Sequence, residues 1–343
     1  MSSSLSRLAR RERQLQNTHK CVASRRTRFS SLASRRTRFS SLASRNWQLQ
    51  KQQTAEAVLR QTAATTPARF RTFVERWVGA DDDELYEARG QTLRARGDYP
   101  GLGEAARRDE RPAWAGGLEA AAPAIRAEYE AAAARGGHEP FFGGDYGEQY
   151  DGVPLAAGGA LAAGAAEAFP GTVAALATVL SAEGEGFDGA MHFGGTRLAF
   201  FARQGPRSNV APHSDLCNYL LTAHLGLIVP CGCSLFFMGG APPVAWEAGA
   251  LAPLLQTSFT HAAVNDSDEA RVILYFDFFH PDLDAAERAA LQLFERTRKA
   301  DEAAFFADAP ADDAPPPWGD DAPPPWGDDA PPPELLARLA ARR

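Results

Sequence analysis

The chain has 343 residues, 45% of them apolar, with six Trp and 20 Phe, enough for a substantial core in one large domain or two ordinary ones. A net charge of −7 argues against a nucleic-acid partner for the chain as a whole, and no run of about 18 apolar residues supplies a membrane span. The four cysteines, Cys21, Cys217, Cys231 and Cys233, are too few and too unevenly placed for a disulfide framework.

Residues 1–55 form a basic leader with eleven Arg and two Lys against one acid, Glu12. It holds a direct repeat, "ASRRTRFSSL" at 23–32 and again at 33–42. An Arg- and Ser-rich, acid-poor leader is either transit-peptide-like or a disordered basic tail, so the expected compartment is an organelle in the first case and the cytoplasm in the second. Residues 56–190 read as a helical lead-in. Ala, Leu, Arg and Glu recur at helical periods, and "LEAAAPAIRAEYEAAAARGG" is expected to stop at Gly136-Gly137.

Residues 191–297 change character. "TRLAFFARQ", "YLLTAHLGLIVP", "SLFFMGG", "VAWEAG" and "RVILYFDFFHP" are short aromatic or β-branched runs bounded by Gly, Pro, Asn and Asp. That is the pattern of an antiparallel sandwich or barrel. Residues 298–343 form an acidic tail in which "DDAPPPWG" repeats at 312–319 and 320–327. Such sequence favours polyproline II and disorder, with Trp318 and Trp326 as possible points of partner docking. The expected fold is therefore mainly β with flanking helices, between a disordered basic N-terminal tail and a Pro-rich acidic C-terminal one.

The chemistry concentrates in "NVAPHSDLCNYLLTAHLGLIVP", residues 209–230. Residues two apart on a strand share a face, so His213 and Asp215 project together. His-x-Asp alone is a weak signal and needs a third ligand. Of His192, His224, His261 and His280, His261 is the best placed. A hairpin folded about "NDSD" at 265–268 would bring Arg271 beside it. On the second strand Arg271, Ile273, Tyr275 and Asp277 share a face, and an arginine entering an apolar face needs an anion. On the strand after His213, the face of Thr222, His224 and Gly226 reads as lining a pocket, with Gly226 leaving room. Two His and one carboxylate on one side of an ion make the facial triad of non-haem Fe(II) oxygenases. The open positions would take a 2-oxo diacid whose far carboxylate meets Arg271, and O2. The competing readings are hydrogen-bonded core histidines, and an Arg271 paired with Asp277 or Glu247. His280 is expected to cap its strand, Trp246 to fix a turn, and Cys231-x-Cys233 to be small buried or turn residues.

In order, "PHSDLCNYLLTAHLGLIVP", "WEAG", "SFTH", an arginine ten residues on, and "DFFHPDL" resemble the aspartyl/asparaginyl β-hydroxylase family of 2-oxoglutarate- and Fe(II)-dependent dioxygenases. Upstream, "YPGL" at 99–102, Trp114 and "LEAAAPAIRAEYE" look like the helical lead-in of that family. The resemblance covers roughly residues 95–295. It implies a double-stranded β-helix, a cupin-like jelly roll. It also implies Fe(II), 2-oxoglutarate and O2, with hydroxylation of a C–H bond, first of all the β-carbon of Asp or Asn in a peptide or protein. Carried over by position, His213 and His261 match iron ligands, and His224 and Arg271 match 2-oxoglutarate contacts. Asp215 stands where the well-studied animal enzyme has glycine, Thr222 where it has a co-substrate-binding arginine, and Ala202 where it has a serine. Those departures leave two further readings in play: the same chemistry on a small molecule or lipid, and a non-catalytic cupin-like binding protein. A hydrolytic zinc enzyme is disfavoured by the lack of a placed general base.

Overall fold

The computed structural model describes residues 41–307 except 63–65, 80–84, 89–90, 95–97, 103–104, 137–138, 141–148, 158–159, 184–197, 216 and 239–240. Residues 23–40 of the basic repeats, the Pro/Trp repeats, His19, His138, His192 and Cys21 lie outside the described residues. Helix α1 (Ser41–Gln61) begins inside the stretch read as leader, and the last helix, α6 (Ala285–Ala307), runs past residue 297. Between them the chain forms α2 (Ala68–Gly79), β1 (Leu85–Ala88), β2 (Gln91–Arg94), β3 (Arg107–Arg108), α3 (Ala115–Ala133), β4 (Glu139–Pro140), β5 (Tyr150–Ala157), β6 (Ala160–Leu161), α4 (Ala165–Ala168) and α5 (Pro170–Ala182). The strands β7 (Leu198–Gln204), β8 (Ser208–His213), β9 (Leu220–Ile228), β10 (Cys233–Phe237), β11 (Val244–Ala245), β12 (Leu254–Leu255), β13 (His261–Asn265) and β14 (Arg271–Phe279) follow.

Two sheets face each other. The larger runs β3-β12-β9-β14-β7-β5-β4, with β6 on β5, and the smaller runs β11-β10-β13-β8. From β7 to β14 the chain passes back and forth between the sheets, apart from the β10–β11 hairpin, which is the winding of a double-stranded β-helix. Strands β3 and β5 of the larger sheet come from the stretch read as a helical lead-in, because their edges complete the ladder beside β12 and β7.

The period-two pattern of β14 separates two environments. Val272, Leu274, Phe276 and Phe278 pack on the helices together with Leu221, Ala223, Leu225 and Leu227 of β9. Helix α3 answers them with Ala115, Leu118, Ala122, Ile125, Tyr129 and Ala132, a three-four spacing that lays one apolar stripe on the sheet. The chain leaves that helix at Gly136, whose φ of 78° is the left-handed conformation that glycine takes without strain. The opposite face of the larger sheet, with Phe200, Ala202 and Ile273, looks across at Val210, Leu235, Phe237, Trp246 and Phe259. That interior holds the polar groups.

The hairpin expected about residues 265–268 does not form as a paired ladder. β13 belongs to the smaller sheet and β14 to the larger, so the turn carries the chain from one sheet to the other. Asn265 holds that crossing, its Nδ2 donating to the carbonyls of Gln204, Gly205 and Glu269. The reading of Gly226 as a source of open space is also corrected. A Cβ built there would lie 2.1 Å from the backbone oxygen of Glu247, so the glycine exists for close approach of backbone. Segment 247–252 lies on β9 through Gly226 N to Ala250 O (3.0 Å), Gly249 N to Gly226 O (2.8 Å) and Ala252 N to His224 O (2.9 Å).

The remaining helices close one end of the sheets. Tyr99 of "YPGL" exchanges two hydrogen bonds with the Asn218 side chain, to Oδ1 from its backbone N–H (2.8 Å) and from Nδ2 to its carbonyl (3.0 Å). Its hydroxyl reaches Glu287, which also binds Arg69. His280 ends β14 as expected, buried, accepting the Asp282 N–H on Nδ1.

Gly226→Ala should lower stability by about 2–3 kcal/mol, because the facing partner is backbone and cannot swing aside; urea unfolding checks it. Burial is the main cause that pulls His280 from 6.5 down to about 4, with Asp282 opposing and Arg108, Arg288 and Arg69 assisting. The folded value lies below the unfolded one, so protonation favours the unfolded chain. Its contribution is whole above pH 6.5 and is lost as the pH falls toward 4, by at most about 3 kcal/mol. His280→Asn should flatten stability against pH in that window.

Candidate functional site

His213 is the last residue of β8 and His261 the first of β13, and the two are direct cross-strand partners. A register shift follows His261. The imidazole rings stand 4.3 Å apart between centroids with 51° between planes. His213 Nδ1 lies 2.8 Å from Ala211 O and His261 Nδ1 2.9 Å from Phe259 O. A carbonyl only accepts, so each Nδ1 carries the proton and each Nε2 carries the lone pair. Backbone carbonyls that fix the tautomer in this way are the usual support of metal-ligating histidines. His213 is partly exposed and His261 buried, so the pair sits where the interior opens to solvent.

Asp215 follows on the loop after β8. Its N–H donates to Thr257 O (2.7 Å), and its Oδ2 accepts the Thr257 hydroxyl. The carboxylate is close enough to His261 to oppose the fall in that imidazole's pKa, which burial drives. Thr257 Oγ1 continues to Thr222 Oγ1 (3.1 Å), and Thr222 Oγ1 to the Tyr275 hydroxyl (3.4 Å). Among the described residues no three His, Cys, Asp or Glu side chains form a ready-made metal cage. The two imidazoles are brought together, with the carboxylate beside them on Thr257.

Deeper in, β9 and β14 place His224 and Arg271. His224 is buried, its pKa well below the usual value, first through burial and then through the charges of Arg271 and His261. It is close enough to both Arg271 and His261 to feel their charges. Trp246 Nε1 donates to His224 Nδ1 (3.2 Å), which leaves the proton on Nε2, a buried donor with no hydrogen-bond partner.

Arg271 is 1% exposed. Its guanidinium lies 4.2 Å from the Trp246 ring centroid and takes a hydrogen bond with the Tyr150 side chain. Burial lowers its pKa, and Tyr150 opposes that. Neither Asp277 nor Glu247 pairs with it: Asp277 Oδ1 accepts Leu198 N–H (3.1 Å), and Glu247 lies exposed on the strap. No carboxylate among the described residues is within ion-pair distance of Arg271, and its Nε is a buried donor without a partner. Tyr150, Gln204 and Arg271 form one cross-strand row, and Gln204 Oε1 is likewise without a partner. The two orphaned donors, Arg271 Nε and His224 Nε2, make a recess that suits a carboxylate.

Residues 119–281 match the family described as Aspartyl/Asparaginyl beta-hydroxylase, a span that contains His213, Asp215, His224, His261 and Arg271. That stretch is similar to the aspartyl/asparaginyl β-hydroxylase family. The human aspartate beta-hydroxylase domain-containing protein 2 is 37% identical over 89 residues, 25% of this chain and 23% of that protein. The human aspartyl/asparaginyl beta-hydroxylase is 32% identical over 87 residues, 25% of this chain and 11% of that protein. The chain thus spans less than a quarter of the length of these two relatives. Among solved structures, a Pseudomonas putida prolyl-4-hydroxylase overlays with a TM-score of 0.34 at 20% identity, over 47% of this chain and 87% of that one. At that score the overlay carries no weight, and the β-helix rests on the strand order.

Several residues that touch this site escaped the sequence. Trp246 was read as fixing a turn, and Tyr150 and Thr257 carried no motif at all. Cys231 and Cys233 diverge, the first exposed and the second buried with its thiol 3.3 Å from Asn265 Oδ1. His213→Ala and His261→Ala should each weaken Mn(II) binding about a hundredfold or more, and Asp215→Asn about tenfold, by isothermal titration.

Proposed function

We propose that the chain is a 2-oxoglutarate- and Fe(II)-dependent dioxygenase that hydroxylates the β-carbon of Asp or Asn in a peptide or protein. The observation that carries the reading is the arrangement itself. Two imidazoles with Nε2 lone pairs stand at the open end of the interior, and a buried guanidinium without a carboxylate partner among the described residues stands at the closed end. The family match over residues 119–281 supports it, and so do the hydroxylase names of the relatives.

His213 and His261 would hold the metal, with Asp215 completing the set or holding a ligand water. The backbone-held Nδ1 protons and the pairing of the two strands are the features that fit an ion. Iron bound there would supply dioxygen activation coupled to oxidative decarboxylation of the keto acid and to C–H hydroxylation. The chain's own residues do the positioning. Arg271 and His224 grip the far carboxylate of 2-oxoglutarate and so aim its keto-acid end at the histidine pair. Phe237, Phe259 and Ile273 wall the interior with apolar surface and keep water from the reacting centre. The partly exposed side of His213 is where a peptide side chain would enter.

With Fe(II), ascorbate and 2-oxoglutarate, the purified chain should release succinate in step with a peptide product one oxygen atom heavier, on Asp- or Asn-containing peptides. Absence of succinate with every peptide, together with no binding of 2-oxoglutarate, would leave the cupin-like binding protein as the better reading. Arg271→Met should weaken 2-oxoglutarate about a hundredfold, since a charged hydrogen-bonded anchor is worth about 2–3 kcal/mol, while Mn(II) binding persists.

A further inference from the structure

The interior polar groups do not all face a ligand. One of them faces two other residues of the site at once. Trp246 uses its indole N–H on His224 Nδ1 at 3.2 Å, and its ring lies against the Arg271 guanidinium at 4.2 Å. The same ring is 5.9 Å from the His224 ring with 32° between planes. We propose that Trp246 is the positioning residue of the carboxylate recess, setting the His224 tautomer and holding Arg271 so that both aim a donor at one dicarboxylate. This deepens the reading of the site given above and rests on it for the identity of the ligand.

The chemistry is one-directional. An indole N–H can only donate, so His224 Nδ1 must accept, and the ring's single proton must sit on Nε2. With the other tautomer Nε2 would be an acceptor and would repel a carboxylate. Among the described residues, no hydrogen bond other than that of Trp246 selects between the two. The stacked face does a second task. A buried guanidinium keeps its charge only with partners, and an aromatic face supplies attraction while blocking none of the in-plane N–H groups. Nε is left as an outward donor, which is the orphan observed.

The position of Trp246 is itself fixed by backbone. Gly226 lets the carbonyl of Glu247 settle on β9, and the ladder contacts of Gly249, Ala250 and Ala252 hold the strap down. Trp246 lies at the head of that strap and is buried, although its neighbours Ala245 and Glu247 are exposed. The indole therefore reaches inward from an otherwise surface segment.

The test uses the full chain, metal-free for NMR because paramagnetic Mn(II) would broaden the His224 signals, and with Mn(II) for the binding measurements. Nitrogen-15 NMR of the wild type should show His224 protonated at Nε2. Trp246→Phe keeps an aromatic face and removes the N–H. It should give His224 protonated at Nδ1 or a mixture, and weaken 2-oxoglutarate by about tenfold or more, the loss of one hydrogen-bonded contact to a charge. Mn(II) affinity should stay within about twofold of wild type, since Trp246 touches neither His213 nor His261. A wild-type His224 protonated at Nδ1 would overturn the proposal, as would a Trp246→Phe protein that binds 2-oxoglutarate like wild type. If Trp246→Phe does not fold, the wild-type tautomer alone decides. If wild type does not bind 2-oxoglutarate, the function proposed above fails, while the tautomer still tests the role of Trp246.

Discussion

A positive charge buried with no carboxylate partner among the described residues constrains the interior. Arg271 is 1% exposed, on a strand whose other face is packed hydrocarbon. Taking a charge from water costs several kcal/mol unless partners replace the hydration. The fold supplies two partial replacements, the face of Trp246 and the side chain of Tyr150, and stops short of a counter-ion. The rest of the site follows from that shortfall. His224 is held neutral beside the guanidinium, where a second cation would be untenable, and the recess is left complementary to an anion.

The winding of the chain gives the recess its second end. Because β7 to β14 pass between the sheets, residues far apart in sequence become cross-strand partners, and His213 meets His261. The loop after β8 then delivers Asp215 to Thr257, and Asn218 three residues on to the backbone of Tyr99. The helices thus brace the segment that carries the histidine and the carboxylate. On β9 and β14 the polar groups occupy the inner face, because α3 and α5 and the apolar residues of those strands occupy the other.

Much of this was legible along the chain. Period-two alternation in "RVILYFDFF" separated Arg271 and Tyr275 from Val272 and Phe276, and the sheet honours it. The three-four stripe of α3 and its stop at Gly136 were equally plain, being local consequences of helix geometry. The pairing of β13 with β14 was misjudged. A short turn between two apolar runs favours a hairpin locally, yet here both strands find better partners in opposite sheets. Gly226 was misjudged for a related reason. A missing side chain looks like space in a sequence, and only the path of residues 247–252 shows that backbone occupies it.

By itself the sequence determined which side chains could take part: two histidines and an aspartate near polar turns, an arginine on an apolar strand, and the alternation that turns them inward. Those are properties of residue type and local period, and they survive in any packing that buries the apolar face. The tertiary structure alone decided that His213 stands against His261, that Asp215 leans on Thr257, and that Trp246 bridges His224 and Arg271. Each of these depends on contacts between segments tens of residues apart, which are set by how the two sheets close and not by any pattern within one of them.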